Sequence, residues 1–322
     1  MVVPGARMDD LDPQAIAVYR RSRAAVNPSA EELSYPDIEM LEALGMVSRV
    51  SLMTYPTLAG LVLFGKALSL RRLLPAIRVD YIRVAWNEWV EDPEDRYATS
   101  IEFLKPLLIA LPQIEASIID DLPKGFQLPE GALQSKQEPV VSRKVVREAL
   151  ANAVMHRDYL QHHPTQVIRY GNRIELNNAG RSLKDPGQLG FSGSFLRNPV
   201  IAAVMHDLNM AEAKGTGIRA IKGFAQKAGL APPEFNSDRQ TNQFTLKIFL
   251  HTLMTEAEHR WLQTLKVEAN SDEAKVLLYA RSTGSVDNST CRNLCGLDTL
   301  SSSMLLRKLR VDILPDLKDG DS

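Results

Sequence analysis

Three polar residues spaced four apart, Glu148, Asn152 and His156, run through the segment VVREALANAVMHRDY at 145–159. On a helix each step of four leaves neighbours about 40° apart, so the three form one stripe. A carboxylate and an amide one turn apart can serve a hydrated Mg²⁺ that is itself bound to phosphates. The amide oxygen is a hard ligand, and the carboxylate can hold or activate a water. By itself an ExxxN pair is an ordinary solvated helix face, so the decision rests on what accompanies it.

Two further segments have suitable chemistry. ELNNAGR at 175–181 follows a strand, with Gly180 permitting a sharp turn and Asn178 offering an amide to a base edge. AKGTGI at 213–218 puts Gly215 and Gly217 just ahead of a helix, where free backbone N–H groups face an anion. Each alone is a common turn.

The elements that must position these residues are legible from pattern. A helix is predicted over about 143–157, with Val146, Ala149, Leu150, Ala153 and Val154 on the side that seats it on a sheet. TQVIRYGNRIELNN reads as a hairpin around Gly171-Asn172. Asn198 and Pro199 are placed as N-cap and first residue of a helix, and QFTLKIFL at 243–250 as a closing strand. Upstream, 11–45 reads as helices with Gly45 as a stop, and 58–70 as an apolar helix-like run. Ile77, Val79 and Tyr81 suggest a strand, and SIEFLKPLLIALPQIEASIIDDL a helical region bent at Pro106 and Pro112. KGFQLPEGALQSKQEP is a connector or hairpin.

Composition narrows the class. The chain has 322 residues, 44% of them hydrophobic and 24% charged, with net charge −1. That is a globular protein able to bury a sizeable core, and any DNA contact must come from a local patch. Cys291 and Cys295 are the only cysteines, too few for a disulfide framework and without a CxxC pair for zinc. The N-terminus lacks a signal-peptide core, and glycines and a lysine interrupt LAGLVLFGKALSL. That stretch falls short of the ~20 apolar residues of a membrane span, so a cytoplasmic protein without membrane contact is expected.

An ExxxN helix, a hairpin ending in a glycine loop, and a second glycine loop opening a helix occur here in that order. The set resembles the GHKL ATPase superfamily. More narrowly, REALANAVMHRDY, the RNP of 197–199 and AKGTGIRAI look like a bacterial and archaeal family labelled "RecG-related" or "transcriptional regulator". The resemblance spans roughly 35–310. It implies an α/β fold, an α+β two-layer sandwich of GHKL (Bergerat) type, with a small all-α winged-helix-like domain at the C-terminus. The implied division is a helical segment over 1–48, an ATP-binding domain over 49–254 and a partial winged helix over 255–322.

Carried across, the resemblance gives Glu148 the role of general base or water-holding carboxylate, and Asn152 that of Mg²⁺ ligand. Asn178 stands where related ATPases place an adenine-reading aspartate, with Gly180 letting the base approach. Gly215, Thr216 and Gly217 cover the phosphates. His156, Arg157 and Asp158 belong to a helix-end motif that is either structural or, through Arg157, phosphate-pairing. Two residues depart from the family pattern. Asn178 replaces the aspartate and loses its charge assistance, and Ala179 replaces a proline.

The C-terminal segment 288–310 resembles a helix-turn-helix. Its second helix would bring Ser301, Ser302 and Ser303 to base edges and Arg307, Lys308 and Arg310 to phosphates. The stretch after it is short and acidic for a wing, and no segment is long enough for the Schlafen/AlbA-type domain that commonly accompanies the family.

The function implied is an ATP- and Mg²⁺-binding, double-stranded-DNA-binding regulator, a weak ATPase at most, in which nucleotide biases domain arrangement or homodimerisation. The alternative is a DNA-binding or assembly protein with a decayed nucleotide site. A helicase motor is excluded, because no complete GxxxxGK[ST] phosphate loop occurs.

Overall fold

The computed structural model describes residues 1–89, 98–127, 136–185, 188, 189, 191, 193, 195–211, 217–228, 230–250, 256–267, 272–295 and 297–313. Its centre is a six-stranded mixed sheet in the order β4-β3-β7-β8-β10-β9. The strands are β3 (Val79–Arg83), β4 (Thr99–Phe103), β7 (Thr165–Arg169), β8 (Arg173–Ala179), β9 (Glu234–Asp238) and β10 (Gln243–Phe249). Only β3 and β7 pair in parallel. Two small antiparallel pairs stand outside this sheet, β1 (Val47–Val50) with β2 (Met53–Pro56) ahead of it in sequence and β5 (Lys124–Gln127) with β6 (Lys136–Pro139) between β4 and β7.

Helices α5 (Leu107–Asp121), α6 (Arg143–His156), α7 (Pro199–Asp207) and α8 (Gly217–Lys227) share a hydrophobic core with this sheet. That core continues into the N-terminal elements α1 (Pro13–Val26), α2 (Asp37–Ala43), α3 (Leu58–Phe64) and α4 (Ala67–Leu73) through Tyr19, Met40, Leu61 and Phe64. Residues 1–48 therefore pack as part of the same body as the sheet. A separate small core, built on Leu262, Ala274, Val276, Leu277, Cys291 and Leu309, joins α9 (Glu256–Thr264), α10 (Asp272–Thr283), α11 (Asn288–Cys295) and α12 (Thr299–Lys308). The architecture is mixed α/β, a sheet flanked by helices. Among the described residues no helix is long and apolar enough to cross a membrane.

Several local expectations hold. The hairpin around Gly171-Asn172 is β7–β8, Gly45 ends α2 at φ +72°, and Pro199 opens α7 behind Asn198. Elsewhere tertiary pairing overrides the pattern. Residues 100–103, expected in the helical region, belong with Thr99 to edge strand β4 against β3, because four or five alternating residues take their conformation from a neighbour. Pro106 stands just before α5, and Pro112 lies inside a helix that continues past it. The apolar run at 58–70 is two helices broken at Gly65, whose added Cβ would lie 2.5 Å from Leu61 O.

The stretch GLVLFGK at 60–66 has the glycine–glycine–lysine spacing of a phosphate loop, but Ala67 stands where such a loop needs Ser or Thr. Structure removes any ambiguity. Gly60 lies within α3, and a Cβ there would fall 1.9 Å from Met46 O. This glycine serves helix–backbone packing rather than phosphate binding.

Candidate nucleotide site

The last turn of α6 is where the signature motifs converge. A helix end leaves four carbonyls without intrahelical partners, and burying them unpaired is costly. Here each one receives a donor from elsewhere in the chain. Ala153 O accepts from Asn178 Nδ2 (2.7 Å) and Val154 O from the Tyr159 hydroxyl (2.9 Å). Met155 O accepts from both the backbone N and the Nδ2 of Asn198. His156 O accepts from Arg197 Nε (3.1 Å), and Arg157 O from Asn198 Nδ2 (2.7 Å). HRDY, NNAG and RNP are thus the parts of one C-terminal cap. Asn198 does precede α7, but its side chain bonds α6 and not the α7 backbone.

Arg157 settles the choice left open for the helix-end motif. It is 1% exposed and donates to Thr165 Oγ1 (2.9 Å), His163 O (2.7 Å) and Ala76 O. Burial pushes its guanidinium below the usual arginine range. Both terminal nitrogens face protein oxygens, and Nε is buried without a partner among the described residues, so the side chain is structural and does not reach a phosphate. Thr165 passes the chain of bonds on by donating to Asn178 Oδ1 at 2.8 Å. Gly180 is likewise bound into this lock. It sits at φ +104°, and an added Cβ would lie 2.8 Å from Asp158 N and 3.2 Å from Arg197 Nε. Only glycine combines that backbone with that crowding.

Beside the cap lies a cavity of about 160 Å³. Glu148, Asn152, His156, Asn178, Gly180 and Gly217 all line it, so residues spread over seventy positions meet in one place. Gly215 and Thr216 lie outside the described residues. The opposite wall is apolar, from Leu176, Phe235, Phe244 and Leu246 on the sheet and Ile218 and Ile221 on α8. An apolar slot with a few convergent polar groups is the usual form of a small-molecule site.

The polar end is ordered. Asn152 Nδ2 donates to Glu148 O and to Glu148 Oε1, both at 2.8 Å. The backbone carbonyl can only accept, which fixes the amide's orientation and leaves Oδ1 directed away from these bonds. Glu148 is 6% exposed. Gly217, the first residue of α8, presses on this pair: its added Cβ would lie 2.0 Å from Glu148 Oε1 and 2.7 Å from Asn152 Nδ2. Among the described residues no group of three or more His, Cys, Asp or Glu gathers as a metal cage. The donor set on α6 instead fits Mg²⁺ shared with a phosphate ligand, the common way this ion is bound.

Comparison with known proteins bears on what this cavity holds. Residues 162–248 match the family described as "Putative ATP-dependent DNA helicase recG C-terminal". This segment is ATPase-like. It contains Asn178, Gly180 and Gly215–Gly217, while α6 with Glu148 and Asn152 precedes it. Residues 1–80 match a domain of unknown function, DUF8451. Among curated proteins nothing matches significantly. The DIP2311 protein from Corynebacterium diphtheriae has a similar crystal structure, with 18% identity and a TM-score of 0.59. The similarity covers 96% of this chain and 59% of that one, so this chain spans well under two thirds of its length. At that identity the likeness is one of fold.

Within this cavity, His156 acquires a setting that sequence spacing did not provide. Burial, with Arg197 and Lys184 nearby, pushes its imidazole below the ordinary histidine range. That setting disfavours the protonated ring and favours a neutral donor–acceptor. Sequence reasoning missed Arg181, Lys184, Phe191 and Phe195, which border the cavity from the loop after β8. That loop has no periodicity to mark it, and Phe191 and Phe195 are 67% and 61% exposed. Asn178 lines the cavity, but both its amide ends already serve the cap. One N–H and one lone pair remain for a ligand.

The C-terminal residues divide. Ser302 is fully buried, its hydroxyl without a hydrogen-bond partner among the described residues, so it cannot meet a base edge. The α-helical period forces this: with Ser301 and Ser303 outward, the residue between them points into the core beside Cys291. Ser301 is half-buried and bonds Asp298; Ser303 is exposed and accepts from Asn288 Nδ2 at 2.8 Å. Arg307, Lys308 and Arg310 are exposed, with Lys308 held 3.0 Å from Glu273.

Proposed function

We propose that this protein binds ATP with Mg²⁺ in the cavity between α6, the end of β8 and the start of α8, in a GHKL-type arrangement. The observation that carries this reading is the meeting of Glu148, Asn152, Asn178, Gly180 and Gly217 on one cavity beside an ATPase-like segment. Asn152 Oδ1 would ligate the cation, and Glu148 would hold the water next to it. Asn178 would read the base against the apolar wall, and the backbone at Gly215–Gly217 would meet the phosphates. Bound Mg²⁺ supplies charge neutralisation for the phosphates. Calorimetric titration of ATP into the protein with Mg²⁺ tests this, with saturable one-site binding expected. No heat and no thermal shift at millimolar ATP would reject it in favour of a decayed site.

A regulatory role on DNA is the second part of the proposal, and the arrangement of α11, a short turn and α12 favours it. Arg307 and Arg310 are exposed cations that would meet phosphate, with Ser301 and Ser303 as the hydroxyls that would approach base edges. Duplex retention that weakens steeply between about 50 and 200 mM salt, and weakens further in Arg307→Ala, is expected. Equal retention of wild type and variant would remove α12 from the interface.

A further inference from the structure

We propose that the base end of the nucleotide site accepts a 6-oxopurine as well as adenine, so that this protein binds GTP with an affinity close to that for ATP. This rests on the nucleotide reading above and deepens it, with Asn178 as the residue that sets which bases are admitted.

The polar side chains of the cavity sort by end. Glu148 is the only carboxylate among the described lining residues, and it stands beside Gly217 at the start of α8. The base end lies at the last turn of α6, with His156 roughly 12 Å along the helix axis from Glu148. There the lining side chains include Asn178, His156, Arg181 and Lys184. Arginine and lysine only donate, and an amide or a neutral imidazole both donates and accepts. No described side chain at this end is an obligate acceptor. A base whose 6-position offers only an N–H donor therefore has no advantage over one that offers an oxygen.

Asn178 is held in one orientation from two sides. Arg157 Nη1 donates to Thr165 Oγ1, which leaves the Thr165 hydroxyl hydrogen for Asn178 Oδ1 at 2.8 Å. Ala153 O only accepts, so the Asn178 atom 2.7 Å from it is Nδ2. What remains on the amide is one acceptor and one donor, side by side. The acceptor suits the 6-amino group of adenine. The donor suits the 6-oxo group of guanine or hypoxanthine, after a small shift of the base in its own plane. The walls on either side are apolar, from Phe235, Phe244 and Leu246 on the sheet and Ile218 on α8, and do not pin the base against such a shift.

The cap explains why an amide stands here. An aspartate at 178 would turn a carboxylate oxygen on Ala153 O and lose the donor that this carbonyl needs. The same change would present only acceptors to the base, and an oxo group would then face like partial charge. Capping α6 with an amide thus brings a wider base tolerance with it. His156 adds to this: burial, with Arg197 and Lys184 nearby, disfavours its protonation, so its ring also presents a donor and an acceptor.

Calorimetric titration of the full chain with AMP-PNP and GMP-PNP, both with Mg²⁺, reads the ratio of the two affinities. GMP-PNP is expected to bind no more than about tenfold more weakly, because neither base leaves a polar group of the site unpaired. A larger preference for AMP-PNP would overturn the base tolerance and leave the nucleotide reading intact. Binding of neither analogue would overturn both. Asn178→Asp should weaken GMP-PNP by at least about tenfold relative to AMP-PNP. The ratio cancels any loss of folded protein common to both titrations, and an unchanged ratio would overturn the role of Asn178. If that variant does not fold, the triphosphate of purine riboside, with hydrogen at position 6, puts the question to wild type. It should bind at least about fivefold more weakly than either analogue, the cost of one lost hydrogen bond. Equal binding would show that position 6 is not read and would overturn the proposal.

Discussion

Asn152→Ala is expected to lower Mg²⁺-dependent ATP affinity by roughly 10–100-fold, the usual cost of losing a group that binds or orients at a metal site. Two contributions add. The amide oxygen proposed as cation ligand is lost, and so are the bonds from Nδ2 to Glu148 O and Oε1 that hold the carboxylate in line. Binding in EDTA should change far less, because the cation contact is the one removed. The fold should tolerate the change. Asn152 is only half-buried and its two bonds lie within one helix, so about 1 kcal/mol or less of stability is at stake. Calorimetry with Mg²⁺·ATP and a melting curve on the same sample separate these effects. Affinity within twofold of wild type would remove Asn152 from the cation site.

Arg157→Ala should have the opposite profile, a large loss of stability of about 4 kcal/mol. The guanidinium is among the largest fully buried side chains of the protein. It ties the end of α6 to two other segments, through Ala76 O and through His163 O and Thr165 Oγ1. Its cationic carbon also lies 5.4 Å from the centre of the Tyr159 ring. Alanine would leave Thr165 Oγ1 buried without this donor, strip two half-buried carbonyls of theirs and open a cavity between them. Lysine should rescue little, because one ammonium on a flexible stem cannot reproduce the planar fork. Asn178 depends on Thr165, so the cavity wall loosens along with the core. Urea unfolding followed by circular dichroism reads the loss, and a cost under 1 kcal/mol would show that the relay from Arg157 to Asn178 is dispensable.

These two residues sit five apart in one motif-rich segment, yet their predicted phenotypes diverge. The difference comes from what each side chain faces. Asn152 borders a cavity, whereas Arg157 lies beyond the helix end, among carbonyls that would otherwise be orphaned. A motif that marks a family therefore need not mark chemistry, and much of HRDY and RNP is committed to capping a single helix.

Helix α6, the β7–β8 hairpin, the stop at Gly45 and strand β10 were legible in the chain itself. Their determinants are local: apolar period, a Gly-Asn turn and glycine's access to positive φ. The edge strand Thr99–Phe103, strand β9 and the β1–β2 hairpin were not, because short segments draw their conformation from pairing partners far away in sequence. The loop carrying Lys184, Phe191 and Phe195 was missed for a related reason, having neither periodicity nor charge clustering to mark it.

What the amino-acid order determined alone was the stripe: Glu148, Asn152 and His156 must share a face wherever 143–156 is helical, since backbone geometry sets that angle. It could not determine which of them would touch a ligand. Tertiary structure separated the candidates by burial and hydrogen-bond supply. It gave Arg157 to the core, divided Asn178 between cap and cavity, turned Ser302 inward, and set Gly217 against Glu148. The physical reason is that a side chain's chemistry depends on which donors, acceptors and charges surround it, and those arrive from segments that only folding brings together.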